Sequence, residues 1–272
     1  MKGNIIYKKI IPARSPEYAE FPESLHPDIR DFLAGQNIKA LYTHQAEAFF
    51  HAMDGENVVI TTPTASGKSL CFYLPVVEEI LKNPVTRAIF IYPTKALAAD
   101  QYRALIPWVE AFGEHRLSVG VYDGDTPPAE RKRIRERANI ILTNPDMLNG
   151  SMLPNHSKYG FDFIFSNLKY IILDELHVYR GAFGSHLANV FRRLTRICRY
   201  YHADPQFLCS SATIANPLEL AKKICGRSFI NIDKSGAGMS ERTYCLVQPE
   251  EKLNKDGIPY GKESMCPPMH WN

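Results

Sequence analysis

The sequence predicts an α/β domain whose central sheet is mainly parallel and sits between layers of helices. Three observations point there. Short runs such as VVI (58–60), RAIFI (87–91), NIIL (139–142), YIIL (170–173) and QFLCS (206–210) are apolar on both faces, and helical patterns separate them. TTPTASGKS (61–69) joins one such run to the helix-prone LCFYLPVVEEIL, so that a strand, a loop of small residues and a helix opened by Gly-Lys-Ser follow one another. This is the layout of a P-loop. Finally, KYIILDEL (169–176) carries two carboxylates, Asp174 and Glu175, at the carboxyl end of a strand, where open parallel sheets bind ligands.

Residues 1–40 are proline-rich, end in a short amphipathic helix at about 27–34, and read as an extension packed on the core. LYTHQAEAFFHAM (41–53) has Ala46, Phe49, Phe50 and Met53 at helical spacing. Gln45, near its start, is either a solvated helix residue or an amide that pairs with both N6–H and N7 of adenine. In the loop, the backbone N–H groups of Thr64, Ala65, Ser66 and Gly67 and the start of the following helix are suited to surrounding phosphates. Lys68 reaches the β- and γ-phosphates and Ser69 ligates Mg²⁺, although Thr62 stands where the strict pattern asks for Gly. The bland alternative is an ordinary turn with a surface lysine.

RAIFIYP leads to a helix at 94–109, LSVGVYDGD (117–125) gives a strand and an Asp-Gly turn, and Pro127-Pro128 open the helix AERKRIRERA. Its five basic residues between Arg131 and Arg137 form either a nucleic-acid patch or a solvated face interleaved with Glu130 and Glu136. After NIILTNPDML (139–148), the end of the strand offers Thr143 and Asn144 beside a helix start, groups suited to a phosphate backbone. Asp174 is placed to hold Mg²⁺ and Glu175 to orient or deprotonate the attacking water; a helix cap is the alternative for this pair. A long helix ending near Tyr201, the strand QFLCS with SATIANP (211–217), a short helix PLELAKKIC and a strand SFINID complete a core that ends near Asp233. From residue 234 on, periodicity is lost and the chain reads as a linker or disordered tail.

Composition bounds the remainder. With 45% hydrophobic and 22% charged residues the chain buries a core, and a net charge of only +3 requires any nucleic-acid contact to be local. Six scattered cysteines without a CxxC pair indicate neither a zinc site nor a disulfide framework. With no secretory segment and no apolar run of membrane-spanning length, the expectation is a cytoplasmic protein with reduced thiols and no membrane partner.

Gln45, TPTASGKS, YPTKALAADQ, DGD, TNPDML, DELH and SATIANP stand in the order and spacing of the motifs of superfamily 2 helicases, and the chain resembles their first RecA-like lobe, a three-layer P-loop NTPase domain. IPARSPEY, LYTHQAEAF, TPTASGKSLCFYLPV and DELHVYRGAFGSHLANVFRRL are similar, more narrowly, to the YprA/MrfA-type DExH helicases, relatives of the fungal RecQ-like helicases of crosslink repair. The resemblance places the ATP-binding lobe at 41–233. It implies ATP and Mg²⁺ as ligands, 3′-to-5′ translocation on single-stranded DNA, and a repair role. Gln45 becomes the adenine reader, and Lys68, Ser69, Asp174 and Glu175 take the roles given above. His177, with Ser211 and Thr213, couples the nucleotide site to the DNA track, while Thr94, Lys95 and Thr143 hold the strand backbone. Such enzymes close on ATP with a second RecA-like lobe, which is expected in a longer chain. The competing expectations are an RNA-dependent ATPase of DEAD type, whose acidic motif ends in Asp where this chain has His177, and a lobe that binds nucleotide without turnover.

Overall fold

The computed structural model describes residues 4–248, 251–253 and 259–262. It forms two compact units, one at Glu17–Ala237 and a smaller one drawn from 1–16 and 238–272.

In chain order, β1 (Asn4–Ile11) belongs to the smaller unit. The larger unit opens with β2 (Tyr18–Ala19), α1 (Pro27–Gly35) and β3 (Leu41–Tyr42), and β2 pairs antiparallel with β3. Leu41 and Tyr42, expected as the first residues of a helix, are therefore extended, and α2 (Thr43–Met53) starts after them. Of the expected extension, α1 packs within the larger unit, with Ile29 and Leu33 buried and Phe32 4.5 Å from the Trp108 ring, while residues 4–11 belong to the smaller unit.

Next come β4 (Val58–Ile60), α3 (Lys68–Lys82), β5 (Arg87–Ile91), α4 (Lys95–Phe112), β6 (Val119–Val121), α5 (Pro128–Arg137) and β7 (Ile140–Thr143). The short α6 (Pro145–Met147) runs into one π-type turn at Leu148–Met152, and α7 (Phe161–Ser166) follows in a stretch with no readable periodicity. The unit then closes with β8 (Leu168–Leu173), α8 (Gly181–Tyr200), β9 (Gln206–Ser210), α9 (Pro217–Cys225) and β10 (Ile230–Ile232).

Seven strands make one sheet in the order β10-β4-β9-β8-β5-β7-β6, and every neighbouring pair is parallel. Alternation along the strands divides the core. Val58, Ile60, Phe90, Leu142, Tyr170 and Ile172 pack with α1–α4 on one face, while Val59, Ile89, Ile91, Ile141, Ile171 and Leu173 pack with α7–α9 on the other. Runs apolar at every position are what a sheet covered on both sides requires.

From residue 234 the structure departs from the expected tail. Residues 234–237 remain in the larger unit, with the Glu17 N–H donating to Gly236 O at 2.8 Å. In the smaller unit, β11 (Arg242–Gln248) pairs antiparallel with β1, and β12 (Glu251–Leu253) pairs with β13 (Pro259–Lys262). The strand at 242–248 follows from its content: Thr, Tyr, Leu and Val favour extended backbone even without strict alternation. Residues 249–250, 254–258 and 263–272 of the expected tail lie outside the described residues.

Candidate functional site

Because all seven strands are parallel, their carboxyl ends face one edge. The sheet order sets the loop after β4, then the loops after β9, β8, β5 and β7, side by side along it. Residues far apart in sequence, Lys68, Ser211, Asp174, Thr94 and Asn144, thus arrive at the same end of the sheet.

The loop after β4 turns on two residues with left-handed backbone, Ala65 (φ 61°) and Gly67 (φ 80°). Lys68 opens α3, and its ammonium donates back across the loop to Thr62 O at 2.9 Å and Pro63 O at 3.1 Å. Thr62 is absent from the positive-φ residues, so its position does not demand glycine. Instead, its buried hydroxyl is 2.7 Å from Ser66 Oγ and braces the loop from within. Gly67 is the position that admits no side chain. A Cβ there would stand 2.6 Å from Gln45 Nε2, in a conformation that L-residues rarely adopt. Gly67→Ala is expected to displace the Gln45 amide and to weaken nucleotide binding by about tenfold or more, since strain of about 1–3 kcal/mol adds to the lost contact; titration calorimetry with ATP reads it.

Gln45 is 3% exposed. Its Oε1 accepts the Tyr42 N–H and its Nε2 donates to Gly67 O, both at 2.9 Å. One N–H and one lone pair remain, the complement of adenine N7 and N6–H. Beside it opens a cleft of about 610 Å³ lined by Tyr18, Tyr42, Gln45, Gly67 and Leu70, with the two tyrosine rings stacked at 5.4 Å. An amide with matching spare valences, a cleft next to it and a loop that a Cβ would fill together fit a purine nucleotide with its phosphates.

At the end of β8, Asp174 Oδ1 accepts the Glu175 N–H at 2.9 Å and a very short hydrogen bond from the Ser210 hydroxyl. This leaves the second carboxylate oxygen for a cation. Glu175 is held in left-handed backbone at φ 54°, a conformation uncommon for a residue with a Cβ. Its Oε2 lies 3.2 Å from His177 Nδ1, and the same nitrogen is 3.2 Å from the Ala212 N–H. The two contacts exclude one another: an Nδ1 lone pair receives the amide, whereas an Nδ1–H donates to the carboxylate. His177 therefore stands between the acidic pair and the loop after β9 through the Ala212 backbone. Of the two residues expected at this junction, Ser211 is fully buried with an unpartnered hydroxyl and Thr213 is exposed.

The predicted strand contacts divide. Thr94 is exposed and caps α4, its hydroxyl accepting the Leu97 N–H at 3.3 Å, and Lys95 is exposed and paired with Asp125 at 2.5 Å. Thr143 does not present the side chain that the expected strand contact needs. It is 1% exposed and its hydroxyl donates to Tyr122 O at 2.7 Å, because the end of β7 is covered by the segment after β6; its side chain presents nothing to a ligand. Asn144, half-buried, caps α6 by accepting the Met147 N–H at 2.9 Å. The basic face of α5 is largely committed within the protein: Arg131 donates to Asp123 O and Gly124 O, Arg133 to Glu130, and Arg135 to Tyr159 O.

Two residues given no role from the sequence also stand at the crevice. Ser210 holds Asp174, and Gln101 of α4 faces Ser69 and Tyr73. The only sequence signal for either is its place beside a motif, Ser210 before SATIANP and Gln101 at the end of YPTKALAADQ.

The chain is similar to known helicases over most of its length. The chain is 45% identical over 251 residues to the ATP-dependent helicase YprA of Bacillus subtilis, covering 92% of this chain and 33% of that one. It is 42% identical over 225 residues to the ATP-dependent helicase HRQ1 of Saccharomyces cerevisiae, covering 82% of this chain and 20% of that one. A crystal structure of the DUF1998 helicase MrfA bound to DNA superposes with a TM-score of 0.88 at 44% identity, over 93% of this chain and 36% of that one. The DEAD-box helicase Mss116 bound to single-stranded RNA, at 18% identity and a TM-score of 0.65, shares the fold. The chain thus spans about a third or less of the length of these curated relatives. Residues 42–221, which hold the phosphate loop, the acidic pair and the histidine between them and Ala212, match the DEAD/DEAH box helicase family, and the chain belongs to that family.

Proposed function

We propose that the unit at Glu17–Ala237 is the ATP-binding lobe of a DNA helicase. The observation that carries the proposal is the convergence of Lys68, Asp174, Glu175 and His177 on one sheet edge, with the Gln45 cleft beside them. Lys68 exchanges two neutral carbonyls for phosphate oxygens, Gln45 holds the adenine edge, and Glu175 receives the proton of the attacking water. Ser69 and the free oxygen of Asp174 would hold Mg²⁺, which supplies neutralisation of the charge that develops on the transferred phosphoryl group. His177 passes the state of Glu175 to the loop after β9 by choosing between the carboxylate and the Ala212 amide. Thr94 and Lys95, exposed at the start of α4, grip the backbone of one strand.

DNA is favoured over RNA as the track by His177, which stands where DEAD-type enzymes carry Asp, and by the MrfA complex with DNA. With the track go the 3′-to-5′ polarity and repair role that the family resemblance implies. Buried Cys71, Cys198, Cys209 and Cys225 are free thiols, as the cytoplasm would keep them. Among the described residues, no helix is long and apolar enough to cross a membrane, and no group of His, Cys, Asp and Glu could hold a metal ion by itself. The larger unit is one lobe. A facing lobe with an arginine finger contributes on the order of a thousandfold or more to phosphoryl transfer. Residues 1–272 alone are therefore expected to bind ATP weakly, to hydrolyse it slowly and not to unwind a duplex. ATPase and strand-displacement assays on this chain and on a longer protein carrying the next lobe, each with single-stranded DNA or RNA, are the test. Robust unwinding by monomeric 1–272 overturns the need for a second lobe; stronger stimulation by RNA overturns the DNA reading.

A further inference from the structure

We propose that Gln101 is a positioning residue that orients the Ser69 hydroxyl for a divalent cation at the phosphate loop and so couples α4 to that site; this rests on reading the loop as an ATP and Mg²⁺ site. Ser69 and Tyr73 lie one turn apart on α3 and face the same way. Gln101 reaches them from α4: its Oε1 accepts the Tyr73 hydroxyl at 2.6 Å and receives the Ser69 hydroxyl at 3.5 Å, the second bond being long and weak.

The chemistry of a hydroxyl ligand gives this arrangement a purpose. A serine that binds a cation through an oxygen lone pair turns its proton away from the metal, and that proton needs an acceptor. The Gln101 carbonyl is an acceptor aimed at Ser69, and the Tyr73 hydroxyl bonded to that carbonyl lies beside the same serine. Its aim is fixed by Tyr73. This phenol is 3% exposed, with its ring 6.2 Å from Phe90 and 6.0 Å from Trp108, so it has no room to swing. An amide oxygen that takes the phenol proton is held toward Ser69, with its NH₂ turned away.

Cation binding polarises the Ser69 O–H and makes it a stronger donor, which draws Gln101 closer. Gln101 lies six positions beyond Lys95 on the same helix, so loading the loop pulls on the helix whose exposed start is the proposed strand grip. A purely structural α3–α4 tie would contribute to stability but would leave the cation dependence of binding untouched.

The test uses the 272-residue chain with Gln101→Ala, Gln101→Glu, Tyr73→Phe and, as a reference, Lys68→Ala. Calorimetric ATP titrations over a Mg²⁺ series should show the Mg²⁺ midpoint raised about tenfold for Gln101→Ala, the size of loss seen when a group behind a metal ligand is removed. ATP affinity without Mg²⁺ should be unchanged. Gln101→Glu, which keeps an acceptor, should stay within about threefold of the parent, and Tyr73→Phe should fall between the two. Hydrogen exchange at residues 95–101 should slow on adding Mg²⁺ and ATP to the parent, and not in Gln101→Ala. A lowered melting temperature with unaltered Mg²⁺ midpoint and exchange overturns the proposal. If Gln101→Ala does not fold, an unaltered midpoint in Tyr73→Phe overturns it equally. Undiminished ATP binding by Lys68→Ala would instead sink the underlying nucleotide reading, since that change leaves Gln101 in place.

Discussion

Lys68→Ala is expected to abolish measurable ATP binding while leaving the fold intact. The ammonium now rests on Thr62 O and Pro63 O, two neutral acceptors within its own loop, so it is poised to be redirected without unfolding anything. A unit charge about 4 Å from another contributes about 4 kcal/mol at an effective dielectric near 20. Each 1.4 kcal/mol is tenfold in affinity, so losing one such interaction with the phosphates costs about a thousandfold. The loop amides and the start of α3 offer only partial charges and cannot replace it. Calorimetry with ATP and Mg²⁺ on both proteins, with matched circular dichroism, reads the outcome. Equal affinities would remove the phosphate-loop assignment and everything built on it.

Glu175→Gln is expected to separate binding from turnover. In a longer protein that carries the proposed facing lobe, ATP affinity should stay near the parent value while hydrolysis falls about 10²- to 10⁴-fold, because an amide of the same size cannot take the proton of water. Two local features sharpen this expectation. The left-handed backbone at Glu175 sets where its side chain starts, and His177 Nδ1, 3.2 Å from its carboxylate, is one of the groups it meets. Asp174→Asn should behave differently: it removes charge from the proposed Mg²⁺ site, so Mg²⁺-dependent binding itself should weaken. Equal hydrolysis by parent and both variants, measured as phosphate release, would remove the acidic pair from the mechanism.

Most of the architecture was legible because strands covered on both faces leave an unmistakable pattern. QFLCS and PLELAKKIC coincide with β9 and α9 to the residue. What escaped were features set by tertiary contact. Leu41 and Tyr42 look like the start of a helix, but pairing with β2 outweighs that preference. Residues 148–166, including a π-type turn, carry no period to read. At the crevice, the motif residues announced themselves by type and spacing, whereas Ser210 and Gln101 matter through what they face, which spacing along the chain does not encode. Thr143 shows the converse. Its motif position suggested a contact, yet a hydroxyl at the end of a buried strand satisfies the nearest carbonyl first.

The ribbon of β1 and β11 has a consequence for handling the protein. Ile5, Ile6, Tyr7, Ile10, Tyr244 and Leu246 are each more than half exposed, and the pair has no third strand among the described residues. Apolar side chains bordered by open strand edges are a template on which further copies can add. The shelf life and colloidal behaviour of residues 1–272 would then be governed by this ribbon and not by the larger unit. Concentrated stocks should thicken and scatter light. Shortening the protein to 17–237 takes away both strands together, whereas deleting only 1–16 strips β11 of the partner it has here and leaves the stickier product.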